Sequence, residues 1–589
     1  MTDDIPPRQH GVRHTQPMTV RATDDGALPA GPAGGPGATA PVRRHGVRRP
    51  TIGRVSIALA VLFSIPILTV AIQVVLPTSS EVWGHLATTV LPRYIRNTVW
   101  LILGVGILTP VIGAGTAWLV TVCRFPGRRI FEWALILPLA VPAYVMAYAY
   151  TDFLQFTGPV QTALRDLMGV SPRGYWFPEI RSLPGAVLML ALVTYPYVYL
   201  LARTSFLEQS VCALEVSRTL GCGRWGSFFR VALPLARPSI AAGTALALME
   251  TLADFGTVSY FGVQTFTTGI VRAWSAFGDP VAAAQLAGVL LAFVFAVVLL
   301  ERVSRGKAKY YHTSAKYQPL PGYKLRGGAA LGAWLACMLP ILLGFLLPAG
   351  ILLKLSLSRG DDQFGTRFLE LAGNSFTLAA VTAVLAVLFA TVMAYGQRLD
   401  PIRATLASNR VASMGYAIPG TVIAIGTLIP FAAFDNAVDA WMRSTFGIST
   451  GLLLTGSIAA LVFAYLVRFM AVALTTIEAS IGRIRPNMDD AARALGHGPI
   501  STLVRIHAPM IWGSMATAGL VVFVDVMKEL PATLVMRPFN FDTLAVQAHN
   551  LAADERLAEA STSALTIVAV GILPVILLSK TIARARPGQ

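Results

Sequence analysis

The sequence predicts an all-α polytopic membrane protein of about twelve transmembrane helices, arranged as two parallel six-helix repeats related by a pseudo-twofold axis along the membrane normal. Three observations carry this expectation. The 589-residue chain is 54% hydrophobic and only 13% charged, with a mean hydropathy of +0.62, far more apolar than a soluble globular protein. Apolar runs of roughly 20 residues, the length a helix needs to cross the hydrocarbon core, recur along the chain. A polar segment of one design is also used twice. Glu215-Val-Ser-Arg-Thr-Leu-Gly221, nine residues, then Val-Ala-Leu-Pro234 returns as Asp490-Ala491-Ala492-Arg-Ala-Leu-Gly496, nine residues, then Ile-His-Ala-Pro509, at a constant offset of 275.

Residues 1 to about 53 are rich in Pro, Gly, Ala and Arg and lack apolar periodicity, which predicts a disordered basic cytoplasmic tail. Eight Arg between Arg8 and Arg54 hold this end inside. The first apolar run, near 55–76, is long enough to span and lacks a small-residue cleavage site, so a cleaved signal peptide is not expected. Further spans are predicted near 98–121, 130–153, 184–205, 239–261 and 281–301, which completes a first transmembrane domain over 54–301. A basic linker, 302–327, carries Arg302, Arg305, Lys307, Lys309, Lys316, Lys324 and Arg326. A second domain, 328–589, holds spans near 328–355, 374–396, 411–433, 451–474, 511–534 and 563–582. Alternation places both polar repeats, the Arg-rich short loops and both termini in the cytoplasm, in agreement with the positive-inside rule. The formal charge of +17 is then explained by topology, and nucleic acid is not an expected partner.

The halves match outside the polar segment as well. Asn97-Thr-Val-Trp-Leu opens the second span as Asn374-Ser-Phe-Thr-Leu opens the eighth, and Pro142 in the third span parallels Pro419 in the ninth. An even number of spans per half gives parallel repeats, whose two halves surround one central pathway.

Within each polar segment the acid and small residues predict a short helix, the Gly a tight turn with positive φ, and the Pro the close of a second helical stretch before the next span. A helix-turn-helix held at a membrane surface is a docking knob. The alternative reading of a single copy is an ordinary basic cytoplasmic loop, but two copies in register argue for a shared role.

Ionisable groups inside a bilayer are costly and usually line a cavity or pair with each other. Glu250 and Asp254 form an i, i+4 pair roughly mid-way through the fifth span, and Asp525 and Glu529 repeat it in the eleventh, again displaced by 275. Two readings stand: an electronegative constriction favouring a cationic substrate, or an ion-paired lock in which Lys528 and Arg468 neutralise the acids. Tyr195, Tyr197 and Tyr199, around Pro196, are expected to be packing and kink residues, with phenolic ligation of a hard metal ion as the other reading. The eight His show no paired ligand spacing in the spans, and the four Cys, at 123, 212, 222 and 337, are scattered. No metal site, disulfide or catalytic nucleophile with a neighbouring base is therefore predicted. The chain contains no Gly-x-x-x-x-Gly-Lys-Ser/Thr phosphate-binding loop, so if ATP drives it, another chain hydrolyses it.

Both copies of the polar segment resemble the EAA loop of binding-protein-dependent ABC importer permeases: Glu-Ala-Ala, three residues, Gly, nine residues, Ile, any residue, Leu-Pro. Val216 and Ser217 depart from it in the first copy, Asp490 and Ala508 in the second, while acid, Gly and Pro keep their spacing. Leu252-Ala-Asp-Phe-Gly-Thr-Val, Asp525-Val-Met-Lys-Glu-Leu-Pro-Ala-Thr-Leu and Arg537-Pro-Phe-Asn-Phe-Asp-Thr-Leu further resemble the fused, double-length permeases of the ferric iron importer group. The resemblance covers about 55–585, and thiamine and aminophosphonate permeases share the fused layout. It implies a plasma (inner) membrane transport subunit that is not itself an enzyme and binds no cofactor, ATP residing on a partner. A homodimer of an ABC ATPase would dock on the two loops, with Glu215, Gly221, Pro234, Asp490, Ala491, Ala492, Gly496 and Pro509 as coupling residues. An extracytoplasmic solute-binding protein would deliver cargo to the outer loops. The rival class is an ion-gradient-driven secondary transporter using the four acids as coupling-ion sites, which leaves the two matching loops unexplained; a scaffold without transport explains still less.

Overall fold

A computed structural model describes residues 51–75, 81–171, 174–208, 223–305, 323–359 and 365–584. They build an all-α polytopic membrane protein. The principal helices of the first half are α1 (Thr51–Val75), α2 (Leu91–Val122), α3 (Ala143–Leu154), α4 (Leu183–Glu208), α5 (Leu233–Ala253) and α6 (Pro280–Arg305). Those of the second are α7 (Gly328–Ser358), α8 (Thr366–Leu399), α9 (Gly420–Phe446), α10 (Ile458–Ile481), α11 (Ala508–Met527) and α12 (Leu557–Arg584). Eleven helices among the described residues are long and apolar enough to cross a membrane, and a twelfth span arises if Arg128–Ala140 and Ala143–Met168, bent by 91°, are taken as one.

The bend falls where the sequence expected a continuous third span. Pro142 supplies no N–H, and its ψ of 142° turns the chain out of the helix before α3 begins. The second half repeats the device: a 3-10 turn, Gly415–Ala417, leads to Pro419 at ψ 141° before α9. The ninth span consequently begins at Gly420 rather than near residue 411, and α10 begins at Ile458 rather than near 451.

Elements recur in the same order in both halves. Leu91 to Thr366, Leu183 to Ile458 and Leu233 to Ala508, the starts of α2/α8, α4/α10 and α5/α11, are each 275 residues apart. The Asn residues noted in the sequence do the same job twice: Asn97 donates to the carbonyl of Gln264 at 2.8 Å, and Asn374 to that of Asp542 at 3.1 Å. Each ties its helix to the start of a short outer helix, Phe266–Ser275 or Leu544–Ala553.

The first helix of each half packs on the other half. α1 lies against α8, α9 and the short helix Arg403–Ala412. The approach is close enough that a Cβ at Gly426 would sit 2.2 Å from the carbonyl oxygen of Pro66, so only glycine fits there. α7 lies against α2 and α3 as well as α12, and Tyr150 of α3 donates to the carbonyl of Leu343 at 2.7 Å. The two sequence halves therefore interlock.

Pro234 and Pro509 do not close a helix, as the sequence suggested; each lies inside a continuous rod, Trp225–Ala253 or Pro499–Met527. One turn of π-helix precedes each, Phe228–Ala232 and Leu503–His507, and a third, Leu342–Leu346, stands at the same spacing before Pro348. Proline cannot donate to the carbonyl four residues back, and its ring collides with it. Widening the preceding turn removes the collision, as in the bond from the N–H of Leu233 to the carbonyl of Phe228, five residues back.

Candidate functional site

α5 and α11 both stop short of the spans predicted for them, at Ala253 and Met527. Asp254 stands at the C-cap of α5 with ψ 130°, and its carboxylate accepts from the backbone N–H of Val258 at 3.1 Å and the hydroxyl of Thr257 at 2.9 Å. It thereby caps the short helix Gly256–Tyr260. Glu529 holds the same place ahead of Pro531–Met536, where its Oε1 lies 3.4 Å from the N–H of Ala532. The expectation that Glu250 with Asp254, and Asp525 with Glu529, each share one helix face is corrected: the helix ends between the members of each pair. The acids still converge. All four line a cavity of about 110 Å³ between the halves, together with Lys528, Arg468, Tyr144, Tyr197 and Tyr416. Pro142, at the break before α3, and the chain breaks after α5 and α11 border it, as expected where non-helical backbone survives at membrane depth.

Two cations face the four carboxylates. Arg468 of α10 pairs with Glu529 at 3.0 Å and reaches Glu250, on the other half, at 3.9 Å. Lys528 pairs with Asp525 at 2.9 Å. Arg468 and Lys528 thus pair with the acids as one of the two readings expected, and four acids against two bases still leave a formal charge of −2. Of the Tyr195–Tyr199 run, Tyr195 and Tyr199 donate to the carbonyls of Leu135 and Glu132 at 2.9 and 2.8 Å, which makes them packing residues. Tyr197 instead lines the cavity, its hydroxyl 3.5 Å from that of Tyr416. Among the described residues no three His, Cys, Asp or Glu side chains are grouped to hold a metal ion.

The first helix and the turn of the second polar segment form as their residues suggested. Asp490, Ala491 and Ala492 lie in the helix Asn487–Ala494, and Gly496 follows at φ +80°, the left-handed region glycine enters without strain. The N–H of His497 bonds back to the carbonyl of Ala492 at 2.9 Å to close the turn. Ala492 is buried, while Asp490 is exposed and pairs with Arg493. The anchoring acid is its neighbour Asp489, which sequence reading passed over. Arg398, in the last turn of α8, grips Asp489 at 2.7 Å and donates to the carbonyls of Ile481 and Ile484, and His507 Nε2 lies 3.0 Å from the other oxygen of Asp489. The sequence places two acids side by side there, Asp489 and Asp490, and only Asp490 falls at the motif's acidic position.

Glu215 and Gly221 lie outside the described residues, while Pro234 follows the first π turn. Beyond each Gly the two copies present large apolar side chains outward at matching positions: Trp225 and Phe229 in the first, Ile500 and Val504 in the second. Each pair is separated from its counterpart by the same 275 residues. Exposed apolar surface of this kind is suited to contact with a protein partner or with lipid.

Residues 111–306 match the family model described as binding-protein-dependent transport system inner membrane component. The chain is 27% identical to the Fe(3+)-transport system permease protein FbpB 2 of Haemophilus influenzae, over 82% of this chain and 89% of that one. It is 30% identical to the molybdenum transport system permease protein ModB of Escherichia coli, over 33% of this chain and 85% of that one. Similarity to the sulfate transport system permease protein CysT of Escherichia coli is 23% identity, over 36% of this chain and 73% of that one.

Proposed function

Because the chain belongs to the family of binding-protein-dependent transport system inner membrane components, we propose that it is the permease of an ATP-driven ferric iron importer. The observation that carries the cargo assignment is the cavity with its formal charge of −2, lined by carboxylates and phenols from both halves. Oxygen donors of this kind suit a hard cation, and their sign disfavours an anion such as the sulfate in the name of one relative. Similarity along most of both chains to a relative named for Fe(3+) transport supports the same reading.

Residues 54–301 and 328–589 act as the two halves of one translocation path, related by a pseudo-twofold along the membrane normal, with both termini in the cytoplasm. Two copies of a separate ATPase dock on the cytoplasmic face, one at Glu215–Gly221 and one at Asp490–Gly496. The exposed apolar pairs behind each turn complete the two docking surfaces. An extracytoplasmic binding protein delivers cargo to the opposite face. Closure of the ATPase dimer pushes on the coupling helices. Because each second coupling helix is continuous with α5 or α11, the push reaches the end of that rod, where Glu250, Asp254, Asp525 and Glu529 surround the cavity. Cargo needs only weak binding there, since a tight site would slow release.

The test is uptake in proteoliposomes containing this chain, its ATPase and its binding protein. Labelled ferric iron is compared with thiamine and an aminophosphonate, each with and without ATP. ATP-dependent accumulation of iron is the expected result. Accumulation of another solute would overturn the cargo and keep the machine; uptake driven by an ion gradient without the ATPase would overturn both.

A further inference from the structure

A second cavity, of about 750 Å³, opens among Asp152, Gln155, Thr157, Arg181, Tyr260 and Glu555. Alternation of the chain through α3, α9 and α10 puts it at the end of the bundle opposite the helix Asn487–Ala494. Three tyrosines stand between it and the central acidic cavity. Tyr144 lines the central cavity and Tyr260 the outer one. Tyr148 packs against both, its ring 5.7 Å from that of Tyr144 and, edge to face, 4.7 Å from that of Tyr260. Arg181 covers the outer end, with its guanidinium 4.8 Å from the Tyr260 ring centre and one nitrogen 3.2 Å from the hydroxyl.

The middle ring is latched across the two halves. Tyr148, in α3, is 2% exposed, and its hydroxyl lies 2.8 Å from Nδ1 of His549 in the helix Leu544–Ala553 of the second half. His549 also faces the Phe255 ring at 5.7 Å, beside the Asp254 that lines the central cavity. On the inner side, the Tyr144 hydroxyl lies 3.4 Å from the carbonyl of Lys528, at the break after α11. Tyr144 also fits so closely over Gly256 that a Cβ there would come within 2.5 Å of its own Cβ.

From this geometry we infer that Tyr144, Tyr148 and Tyr260, latched by His549, form the outer gate between the extracytoplasmic cavity and the central acidic one. Ring stacks close a path by filling it, and a phenol–imidazole hydrogen bond between halves breaks when the halves move apart. Both inner contacts of the stack lie at the chain breaks after α5 and α11. A displacement of these rods that widens the central cavity therefore also frees Tyr144, the inner ring of the stack. The gate rests on the transport reading but does not depend on which cargo passes.

The experiment uses the full chain with its four native cysteines replaced by alanine, in sealed vesicles with the outer face accessible to a membrane-impermeant thiol reagent. Thr157→Cys reports the outer cavity and Ala253→Cys the central one. Rapid labelling of Thr157→Cys and labelling of Ala253→Cys at least tenfold slower are expected. Adding Tyr148→Ala or His549→Ala should speed labelling of Ala253→Cys about tenfold or more, whereas Tyr148→Phe, which keeps the ring and loses the latch, should speed it less. A monodisperse gel-filtration profile and unchanged rapid labelling of Thr157→Cys in each variant show that each protein is assembled. The gate is overturned if Ala253→Cys is labelled as fast as Thr157→Cys in the unaltered gate, or if neither alanine variant speeds its labelling beyond twofold. Labelling that follows the expected order, when the unaltered gate with its ATPase and binding protein shows no ATP-driven uptake, would keep the gate and remove the importer reading.

Discussion

Replacing Arg468 by Met tests whether the central cluster is held by one ion pair or shared between two. The guanidinium lies 3.0 Å from Glu529, with both side chains only 6% exposed, and 3.9 Å from Glu250, which is 27% exposed. At an effective dielectric constant near 20 the direct attractions are ~5.5 and ~4 kcal/mol before desolvation. The Glu250 contribution must be discounted further because water reaches that carboxylate. Net values are far smaller than these sums, since burying the charges consumes most of the attraction. Removing one partner is different: it leaves Glu529 buried with an uncompensated charge, at a cost of about 3–5 kcal/mol, or roughly two to four powers of ten in the folding equilibrium. Arg468→Met should therefore be severely destabilised, and Glu529→Gln added to it should recover most of the loss. Glu250→Gln added instead should recover little.

The assay is unfolding in mixed micelles of rising denaturing-detergent fraction, followed by tryptophan fluorescence, for the three single variants, the two double variants and the parent. The double-mutant cycle isolates the pair energies. A loss below about 1 kcal/mol for Arg468→Met, or better rescue by Glu250→Gln than by Glu529→Gln, would refute the argument that burial makes the Glu529 pair dominant. Transport rate per folded molecule is the second readout. A path-lining role requires Glu250→Gln and Glu529→Gln to slow uptake beyond their effect on abundance; a change in abundance alone would make these acids structural.

Three further outcomes follow from the geometry. Gly221→Asp with Gly496→Asp should abolish ATPase copurification and uptake; at Gly496 any side chain must adopt φ +80°, a strain of about 1–2 kcal/mol before any contact with the partner is lost, and intact copurification would remove the docking assignment. Arg398→Ala frees Asp489 and the carbonyls of Ile481 and Ile484, so ATP hydrolysis should persist while cargo moved per ATP falls, measured on the same proteoliposomes. Asn97→Ala and Asn374→Ala each delete one equivalent hydrogen bond and should cost about 1 kcal/mol apiece in the unfolding assay, equal within a few tenths.

Most of the helices and the internal repeat were legible because both depend on local pattern. A span is a run of apolar residues, and a repeat is an offset that Gly221 and Gly496, or Pro234 and Pro509, reveal by counting. The positive φ at Gly496 was legible for the same reason, since few other residues tolerate it. The places where helices stop inside the bundle were not. Hydropathy continues unbroken through Pro142 and past Asp254 and Glu529, and only the tertiary cavity supplies partners for the backbone groups exposed there. Pro234 and Pro509 misled in the opposite direction, because a π turn lets a helix run through a residue that ordinarily ends one. The role of Asp489 depends on Arg398, 91 residues away, and the crossing of α1 and α7 onto opposite halves depends on packing between distant helices. Neither leaves a local trace.

The charges of the central cavity show what duplication followed by fusion into one chain permits. The acids are kept at equivalent positions in both halves, Glu250 with Asp525 and Asp254 with Glu529. The bases are not: Lys528 and Arg468 occur only in the second half, and 275 residues earlier the same positions are Ala253 and Val193, both lining the cavity. The first half thus contributes two negative charges and the second a balanced set of two acids and two bases. A symmetric homodimer would carry either both bases twice, which neutralises the cavity, or neither, which raises the formal charge to −4 with no internal counter-ion. Two bases give an intermediate state. The four acids are held together at a tolerable desolvation cost, while Asp254 keeps only uncharged hydrogen-bond donors, Thr257 and the N–H of Val258. Arg468, reaching Glu250 across the interface between halves, couples the charge balance of the cavity to the separation of those halves. In the proposed transport cycle, movement apart would weaken that 3.9 Å contact first and free the more exposed carboxylate for an incoming cation, whereas the buried pair with Glu529 would stay closed.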